Sequence, residues 1–384
     1  MIQIRKPGAV ASLLVSLLVL NSAAAIADIA ISANDAHSSM IDGVGGAIKD
    51  APAGNISIID FAQSPPKIVG SVDVPTSVLG PGQGVFVAKD ESFAIVPAGN
   101  RTENDKIVPD DRVSVIDLAS SPPRVLQQIR AGAGANSVAV NPAGTLALVT
   151  NRIDGNVSVF SLKDKQLTSA GTIDLGNAKS LAAGVMFAPD GKTAFVAREG
   201  GIAVLTVDGD KVEVDPKQVI LALRPYPIDI SPDGKLLAVS NSWGPNADIG
   251  TISLVDLSSK PYRVVDTARA PSTSEGLRFS PDGKFLAITS LNGSTAAPTS
   301  PIYKDHSLLT VFAVQDRSLS IVAQAPIGKW AQGVAFSGNG STIVAQNTME
   351  KTLAVFLFAD NKLTALPPLA IPKGGPAMIG TPRR

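Results

Sequence analysis

The sequence has no cysteine among its 384 residues, which excludes disulfides, thiolate metal sites, cysteine nucleophiles and thioether-attached haem. With only two histidines, a zinc site would need carboxylate ligands, and no H-E-x-x-H or D-x-D-x-D spacing is present. A G-x-S-x-G motif is also absent, so a serine hydrolase triad has no anchor. Basic and acidic residues balance at 33 each without any block of like charge, so we expect neither nucleic acid nor an anionic membrane as a partner.

The first 27 residues are typical of a secretory signal peptide. Arg5 and Lys6 precede an apolar or small stretch at residues 9–20, and Ala25-x-Ala27 fits the cleavage rule. The stretch is too short to span a bilayer comfortably, and nothing later in the chain is long and apolar enough to do so. We therefore expect cleavage after Ala27, a periplasmic mature protein of residues 28–384, and no membrane insertion after cleavage.

A nine-residue segment recurs six times, and each copy is an alternating strand that runs into a Pro-Asp-Gly-type turn. A second apolar strand follows each copy, and a third is visible in most repeats, as in residues 55–61 (NISIIDF). The turn positions lie 43 to 57 residues apart, which is typical of four-stranded propeller blades and not of a helical solenoid. The copies are residues 84–92 (GVFVAKDES), 137–145 (SVAVNPAGT), 184–192 (GVMFAPDGK), 227–235 (PIDISPDGK), 276–284 (GLRFSPDGK) and 333–341 (GVAFSGNGS).

The two ends of the chain supply the remaining blade. Residues 28–33 (DIAISA) have the pattern of a second strand without its inner partner, and residues 375–380 (GPAMIG) have the pattern of an inner strand. Pairing them would close the ring and leave no unpaired sheet edge. The sequence therefore predicts an all-β fold, a single seven-bladed β-propeller whose C-terminal strand completes the N-terminal blade.

The strands that follow the turns carry a family resemblance. Residues 149–151 (VTN), 239–241 (VSN) and 345–347 (AQN) resemble the YVTN-type propeller repeat. Nearly the whole mature chain is similar to the superfamily that includes bacterial lactonase-like seven-bladed propellers. That resemblance implies either lactone hydrolysis or a surface or binding role, since members include both, and the site must decide between them.

Propeller topology predicts which face binds a ligand. The short, uniform Pro-Asp-Gly turns define one face, here called the turn face. The opposite face, here called the long-loop face, carries the insertions at about residues 35–53, 98–112, 241–250 and 290–307. Binding usually resides in loops mounted on a rigid scaffold, so we expect ligands on the long-loop face.

Polar and aromatic side chains converge at this face on the fifth to seventh blades, either just ahead of an inner strand or in the long loops. A cation, a carboxylate, aromatic rings and an imidazole together suit a small polar molecule. The alternative is an ion pair that plugs the channel. The candidate residues are Arg224, Tyr226, Trp243, Glu275, His306, Trp330 and Gln332.

Two functions remain open. The favoured one is a non-catalytic periplasmic module that binds a small polar ligand or a protein partner, with Arg224, Tyr226, Trp243, Trp330 and Gln332 as its ligand-binding residues. The alternative is a lactone hydrolase, in which Glu275 or His306 is the catalytic base and Arg224 or Lys329 supplies a cation for the oxyanion. We expect no metal, no cofactor and a monomer in either case.

Overall fold

The computed structural model describes residues 28–176, 180–241 and 249–383, together with Ile2. In these ranges the first half of the strands are β1 (Ile29–Asp35), β2 (Ser38–Ile41), β3 (Val44–Ala47), β4 (Asn55–Asp60), β5 (Lys67–Asp73), β6 (Phe86–Val87), β7 (Phe93–Glu103), β8 (Lys106–Asp117), β9 (Arg124–Arg130), β10 (Ala135–Val140), β11 (Leu146–Asn151), β12 (Asn156–Lys163), β13 (Gln166–Asp174), β14 (Val185–Phe187) and β15 (Thr193–Arg198). The second half are β16 (Gly201–Asp208), β17 (Lys211–Ile220), β18 (Pro225–Ile230), β19 (Leu236–Asn241), β20 (Ile249–Asp256), β21 (Arg263–Pro271), β22 (Ser274–Phe279), β23 (Phe285–Ser290), β24 (Ser307–Gln315), β25 (Ser318–Ile327), β26 (Ala331–Phe336), β27 (Thr342–Asn347), β28 (Thr352–Ala359), β29 (Lys362–Ala370) and β30 (Gly375–Gly380).

These strands form seven four-stranded antiparallel sheets, which are the blades of a β-propeller. Blade 1 has the order β30-β1-β4-β5, and blades 2 to 7 each consist of four consecutive strands, from β6–β9 to β26–β29. The remaining pair, β2 and β3, is a separate hairpin. The predicted seven-bladed fold is confirmed.

Ring closure follows the sequence prediction. Strand β30 pairs antiparallel with β1, with Ile31 opposite Gly380 and Ser32 opposite Ile379. All six residues of β30 are buried. The C-terminal strand is thus the inner strand of blade 1, and it completes the sheet that packs against blade 7 to close the ring.

The core is divided among the interfaces between blades. Seven clusters of buried apolar side chains are found in the described residues, and each joins one pair of neighbouring blades. At the closure, Ala335 and Val344 of blade 7 pack with Ile59 and Ile379 of blade 1. Inner strands are buried on both faces, while an outer strand such as β5 alternates exposed and half-buried residues. Second strands such as β11 (LALVTN) are likewise buried on both faces, which explains their nearly continuous apolar sequences.

The turns of the repeat keep a constant backbone conformation. Their glycines have φ between 65° and 75°, a region that costs other residues about 1–2 kcal/mol. Blade 2 has Glu91 at this position, with φ of 60°. The glycines are Gly144, Gly191, Gly234, Gly283 and Gly340.

The insertions of the long-loop face contain more strand than the sequence suggested. Residues 98–112, expected to be a loop, continue β7 and β8 as a hairpin that turns between Glu103 and Lys106. Residues 35–53 contain the β2–β3 hairpin, and residues 290–307 are mostly turns. Of the fourth insertion, residues 242–248 lie outside the described residues. The described part of the chain contains no helix of the length and apolarity needed to cross a membrane.

Candidate functional site

A glycine-rich segment closes the central channel between the two faces. This channel plug, residues 80–84 (GPGQG), leads into the inner strand of blade 2. The amide of Gly82 donates to the carbonyl of Glu275 in blade 6 (2.9 Å), and its carbonyl accepts from Ile379 in blade 1 (2.7 Å). A Cβ on Gly82 would lie 2.5 Å from the backbone of Gly333, so only glycine fits there. The sequence left an ion pair as an alternative way to plug the channel. In the structure, the backbone of residues 80–84 occupies the channel.

The residues that enter the inner strands form a ring of left-handed backbone conformations on the long-loop face. Corresponding positions in blades 3 to 7 and blade 1 all have positive φ, and two of the six are glycine. The other four are on consecutive blades, where a side chain is kept despite a backbone cost of about 1–2 kcal/mol. The six residues are Gly134 (78°), Leu181 (50°), Arg224 (49°), Thr273 (50°), Trp330 (54°) and Gly374 (77°).

These four strained residues all line one cavity of about 290 Å³ above the channel plug. Its walls combine charged, aromatic and apolar side chains from blades 3 to 7, and Met40 of the β2–β3 hairpin also lines it. At the tip of that hairpin, Gly43 packs against the backbone of Ala297, so the hairpin extends from blade 1 to the insertion of blade 6. The lining residues are Met40, Arg152, Leu181, Glu199, Arg224, Pro225, Tyr226, Thr273, Glu275, Leu291, Thr295 and Trp330.

Glu275 is a carboxyl of the cavity whose environment strongly shifts its pKa. Its backbone is fixed in β22 and by the hydrogen bond from Gly82. Burial raises the pKa of its carboxyl to about 7, and the nearby Arg152 opposes this rise only in part. At neutral pH the carboxyl is therefore divided between its charged and protonated forms, which suits a general base.

Tyr226 and Arg152 are the polar neighbours of the Glu275 carboxyl. The guanidinium carbon of Arg152 lies 5.1 Å from the centre of the Tyr226 ring, and its Nη1 donates to the carbonyl of Leu181 (3.2 Å). Burial and Glu275 raise the pKa of Tyr226 above its usual value, while Arg152 and the amide of Gly80 oppose the shift. The phenol therefore keeps its proton and remains a hydrogen-bond donor at neutral pH.

The rim of the cavity carries a second cation and a large aromatic ring. Arg224 is half-exposed, and its Nε lies 4.0 Å from the carboxylate of Glu199, too far for a hydrogen bond. Trp330 is only 8% exposed, and its amide donates to the hydroxyl of Ser294 (3.1 Å). A ligand in the cavity thus meets a half-exposed charge at the rim and a buried aromatic ring beside it.

The structure brings together four of the seven residues predicted from the sequence: Arg224, Tyr226, Glu275 and Trp330. Gln332 is buried in the neighbouring inner strand, where its Oε1 has no hydrogen-bond partner among the described residues, and it does not line the cavity. His306 lies in the insertion of blade 6, bonded to Asp305 through Nδ1 (2.7 Å) and away from the lining residues. Trp243 lies outside the described residues.

Sequence reasoning missed Arg152 and Glu199. Each is the first residue after a second strand, Arg152 after β11 and Glu199 after β15, and Leu291 holds the same position after β23. The signal was present, because every insertion of the long-loop face joins a second strand to a third strand, as these short turns do. Among these connections, ligand binding was predicted only for the long insertions, and the turns that hold Arg152 and Glu199 are short. Lys329, the other predicted cation, lies beside Tyr303, with its Nζ 3.4 Å from the phenol oxygen.

The described residues contain no group of three or more histidine, aspartate and glutamate side chains that could hold a metal ion.

Comparison with known proteins connects this fold with lactonases. The sequence model of a family described as "Lactonase, 7-bladed beta-propeller" matches residues 110–256. No curated protein matches the chain. The family match includes Arg152, Arg224 and Tyr226, while Glu275 lies beyond it.

Solved structures with the same fold include three that are named as lactonases. One from Bacteroides uniformis, provisionally named a 6-phosphogluconolactonase, has 16% identity and a TM-score of 0.69 over 93% of this chain and 99% of that chain. A second provisional 6-phosphogluconolactonase, from Bacteroides fragilis, has 14% identity and a TM-score of 0.71 over 94% and 99%. A periplasmic gluconolactonase from Pseudomonas aeruginosa has 15% identity and a TM-score of 0.68 over 92% and 99%. At these identities the likeness shows the fold alone.

Proposed function

We propose that the long-loop face hydrolyses a lactone of a polar hydroxy acid, with Glu275 as the general base. The observation that carries the proposal is a carboxyl with a pKa of about 7 that lines a cavity beside a guanidinium group. Such a group can accept a proton from water and return it at neutral pH.

The reaction can be balanced with the residues present. The Glu275 carboxylate takes a proton from a water molecule as the water oxygen bonds to the lactone carbonyl carbon. The carbonyl electron pair becomes an oxyanion, which Arg152 and the Tyr226 hydroxyl stabilise. Collapse breaks the bond between that carbon and the ring oxygen, and protonated Glu275 gives its proton to the leaving oxygen. The product is the open-chain hydroxy acid.

The other lining residues suit a substrate with a sugar-like body. Trp330 offers a face for the ring of the lactone, and Arg224 can bind hydroxyl, carboxylate or phosphate substituents at the rim. Because Arg224 is 4.0 Å from Glu199, a substrate anion can take its donors without breaking a short ion pair. A polar or anionic lactone is therefore the expected class.

The comparisons support this alternative over the non-catalytic binding module favoured from the sequence. The family model is described as a lactonase, and similar structures are named 6-phosphogluconolactonase and gluconolactonase. Lactones of sugar acids are consequently the first substrates to test. One of these structures is called periplasmic, which agrees with our proposal that this protein is exported to the periplasm.

The test is hydrolysis of glucono-δ-lactone and 6-phosphoglucono-δ-lactone, followed by acid release and corrected for spontaneous opening. Glu275→Gln should lower kcat by about 10²-fold or more, because it removes the base and keeps the shape. Glu199→Gln, a half-exposed carboxylate of the same cavity, is the matched control and should retain most of the activity. The kcat/KM of the parent should rise with pH through about 7, because Glu275 must lose its proton to act.

Two results would contradict the proposal. Glu275→Gln with undiminished activity would exclude this carboxyl as the base. If neither lactone is hydrolysed, but one of them binds and Arg224→Ala and Trp330→Ala abolish that binding, the result would instead support a binding module at the same cavity.

A further inference from the structure

A second cavity lies at the opposite end of the channel, on the turn face that the sequence led us to regard as purely structural. It encloses about 470 Å³, within the range of small-molecule sites. Most of its wall is apolar, and its apolar lining residues include Phe86, Phe93, Val138, Met186 and Phe187. An apolar chamber of this size, separated from the first cavity by the channel plug, requires its own explanation.

The charged side chains that line this cavity are cationic. Lys89, Arg278 and Arg383 line it, and none of its described lining residues is an aspartate or glutamate. The carboxylate of Asp229, which is 1% exposed, contacts both arginines: it accepts from Nη2 of Arg383 and lies 4.0 Å from Nη1 of Arg278. One carboxylate cannot neutralise two guanidinium groups, so an excess of positive charge remains at the inner end of an apolar chamber.

The geometry leaves donors on Arg278 for a ligand. Its Nη2 donates to the carbonyl and the hydroxyl oxygen of Thr381 (3.2 and 2.8 Å), and its Nη1 is beyond hydrogen-bond distance from Asp229. Burial and the neighbouring Arg383 lower the pKa of Arg278 to about 10, so it remains charged at neutral pH. An incoming anion would restore the balance of charge.

Gln83, a residue of the channel plug with a buried acceptor, also lines this cavity. Gln83 is 3% exposed; its Nε2 donates to the carbonyl of Ile228 (3.0 Å), and its Oε1 has no hydrogen-bond partner among the described residues. A buried acceptor without a donor is costly unless a bound molecule supplies one. This observation is independent of the arginines.

We propose that the turn-face cavity binds a small organic carboxylate with an apolar, hydroxyl-bearing body, such as a hydroxylated aromatic acid. The carboxylate contacts Arg278 and Arg383, the apolar body packs against the phenylalanine and valine side chains, and a hydroxyl donates to Oε1 of Gln83. The proposal is independent of lactone hydrolysis, which concerns the other end of the channel.

The experiment is isothermal titration calorimetry of the folded, full-length mature chain with 4-hydroxycinnamate. Its neutral amide and unsubstituted cinnamate are the matched ligands. We expect the amide to bind at least about tenfold more weakly, because it lacks the charge that the guanidinium groups pair with. Cinnamate should bind more weakly than 4-hydroxycinnamate, because it leaves Oε1 of Gln83 without a donor. Binding should also weaken as salt increases.

Three variants assign the site. Arg383→Gln removes a half-exposed charge and should weaken 4-hydroxycinnamate binding about tenfold, while Val140→Phe fills the cavity from a half-buried position and should abolish it. Lys284→Gln, a 75% exposed lysine on the same face outside the cavity, should bind as the parent does. All three should keep the lactonase activity of the parent, since none lines the other cavity.

The proposal is overturned if no carboxylate binds at millimolar concentration, or if acid and amide bind equally. It is also overturned if Val140→Phe, shown to be folded by its melting transition, binds 4-hydroxycinnamate as the parent does. Loss of lactonase activity in Glu275→Gln with unchanged carboxylate binding would separate the two ends of the channel.

Discussion

Glu275→Gln should make the protein more stable at neutral pH, because the carboxyl that we propose as the base is held in an environment unfavourable to its charge. The pKa of this group rises from an ordinary 4.5 to about 7 in the folded state, mainly through burial. The folded protein therefore binds this proton more tightly than the unfolded chain does. Its contribution to stability is greatest below pH 4.5, decreases as the pH rises, and reaches its lowest value above about 7.

The size of this stability difference follows from the pKa shift of Glu275. One pKa unit corresponds to about 1.4 kcal/mol, so ionising Glu275 costs the folded state about 3 kcal/mol between these two pH values. Glutamine has the same shape and no charge, so it avoids this cost. The variant and the parent should have similar stability near pH 4, and the variant should be more stable by up to about 3 kcal/mol at pH 8.

Urea unfolding of both proteins at a series of pH values measures this difference, and taking the difference removes the contributions of other titrating groups. Glu199→Gln is the control, because its half-exposed side chain lines the same cavity and should change stability little at any pH. A difference between Glu275→Gln and the parent that does not change with pH would refute the assigned pKa. A variant that is less stable at pH 8 than the parent would refute the reasoning on burial.

Three further outcomes are expected. Deleting residues 372–384 should cost more than about 4 kcal/mol, because it removes the fully buried side chains of Met378 and Ile379; an unchanged melting temperature would contradict ring closure by β30. Gly82→Ala should destabilise the protein by about 1–3 kcal/mol and reduce lactone hydrolysis, since its Cβ would meet the backbone of Gly333. Gly45→Ala is the control: there is room for a Cβ at Gly45, so thermal melts should show almost no change in stability. The exported protein should begin at Asp28, and an intact mass that includes Met1 would exclude signal cleavage.

The fold could be predicted from the sequence because it is repeated. Six copies of the strand-turn motif set the period, and β30 was located at residues 375–380 by its pattern alone. The extension of β7 and β8 as a hairpin through residues 98–112 was not foreseen, because polar residues such as Glu103 and Lys106 suggested a loop. Such a ribbon is stabilised by backbone hydrogen bonds, which leave little trace in the pattern of apolar residues.

The site could be predicted only where it follows the repeat. Tyr226 and Glu275 hold equivalent positions, each the second residue of an inner strand, so the repeat placed both beside the channel. His306 lies in an insertion without a repeat, and no sequence pattern shows that its imidazole pairs with Asp305 outside the cavity. The channel plug was also missed, although its three glycines in residues 80–84 are a visible signal.

The backbone of Arg224 connects stability with the proposed function. At a φ of 49°, any residue with a Cβ has a backbone conformational cost of about 1–2 kcal/mol, which glycine does not have. Arg224→Gly should therefore be more stable than Arg224→Ala by about 1 kcal/mol. This reverses the usual order, which the same two substitutions should show at the exposed strand residue Arg130. Both Arg224 variants lack the guanidinium and should lose affinity for an anionic lactone to the same extent. The opposing result is that alanine proves the more stable replacement at both Arg224 and Arg130. The left-handed backbone around the cavity would then have no conformational cost, and its side chains would need no functional explanation.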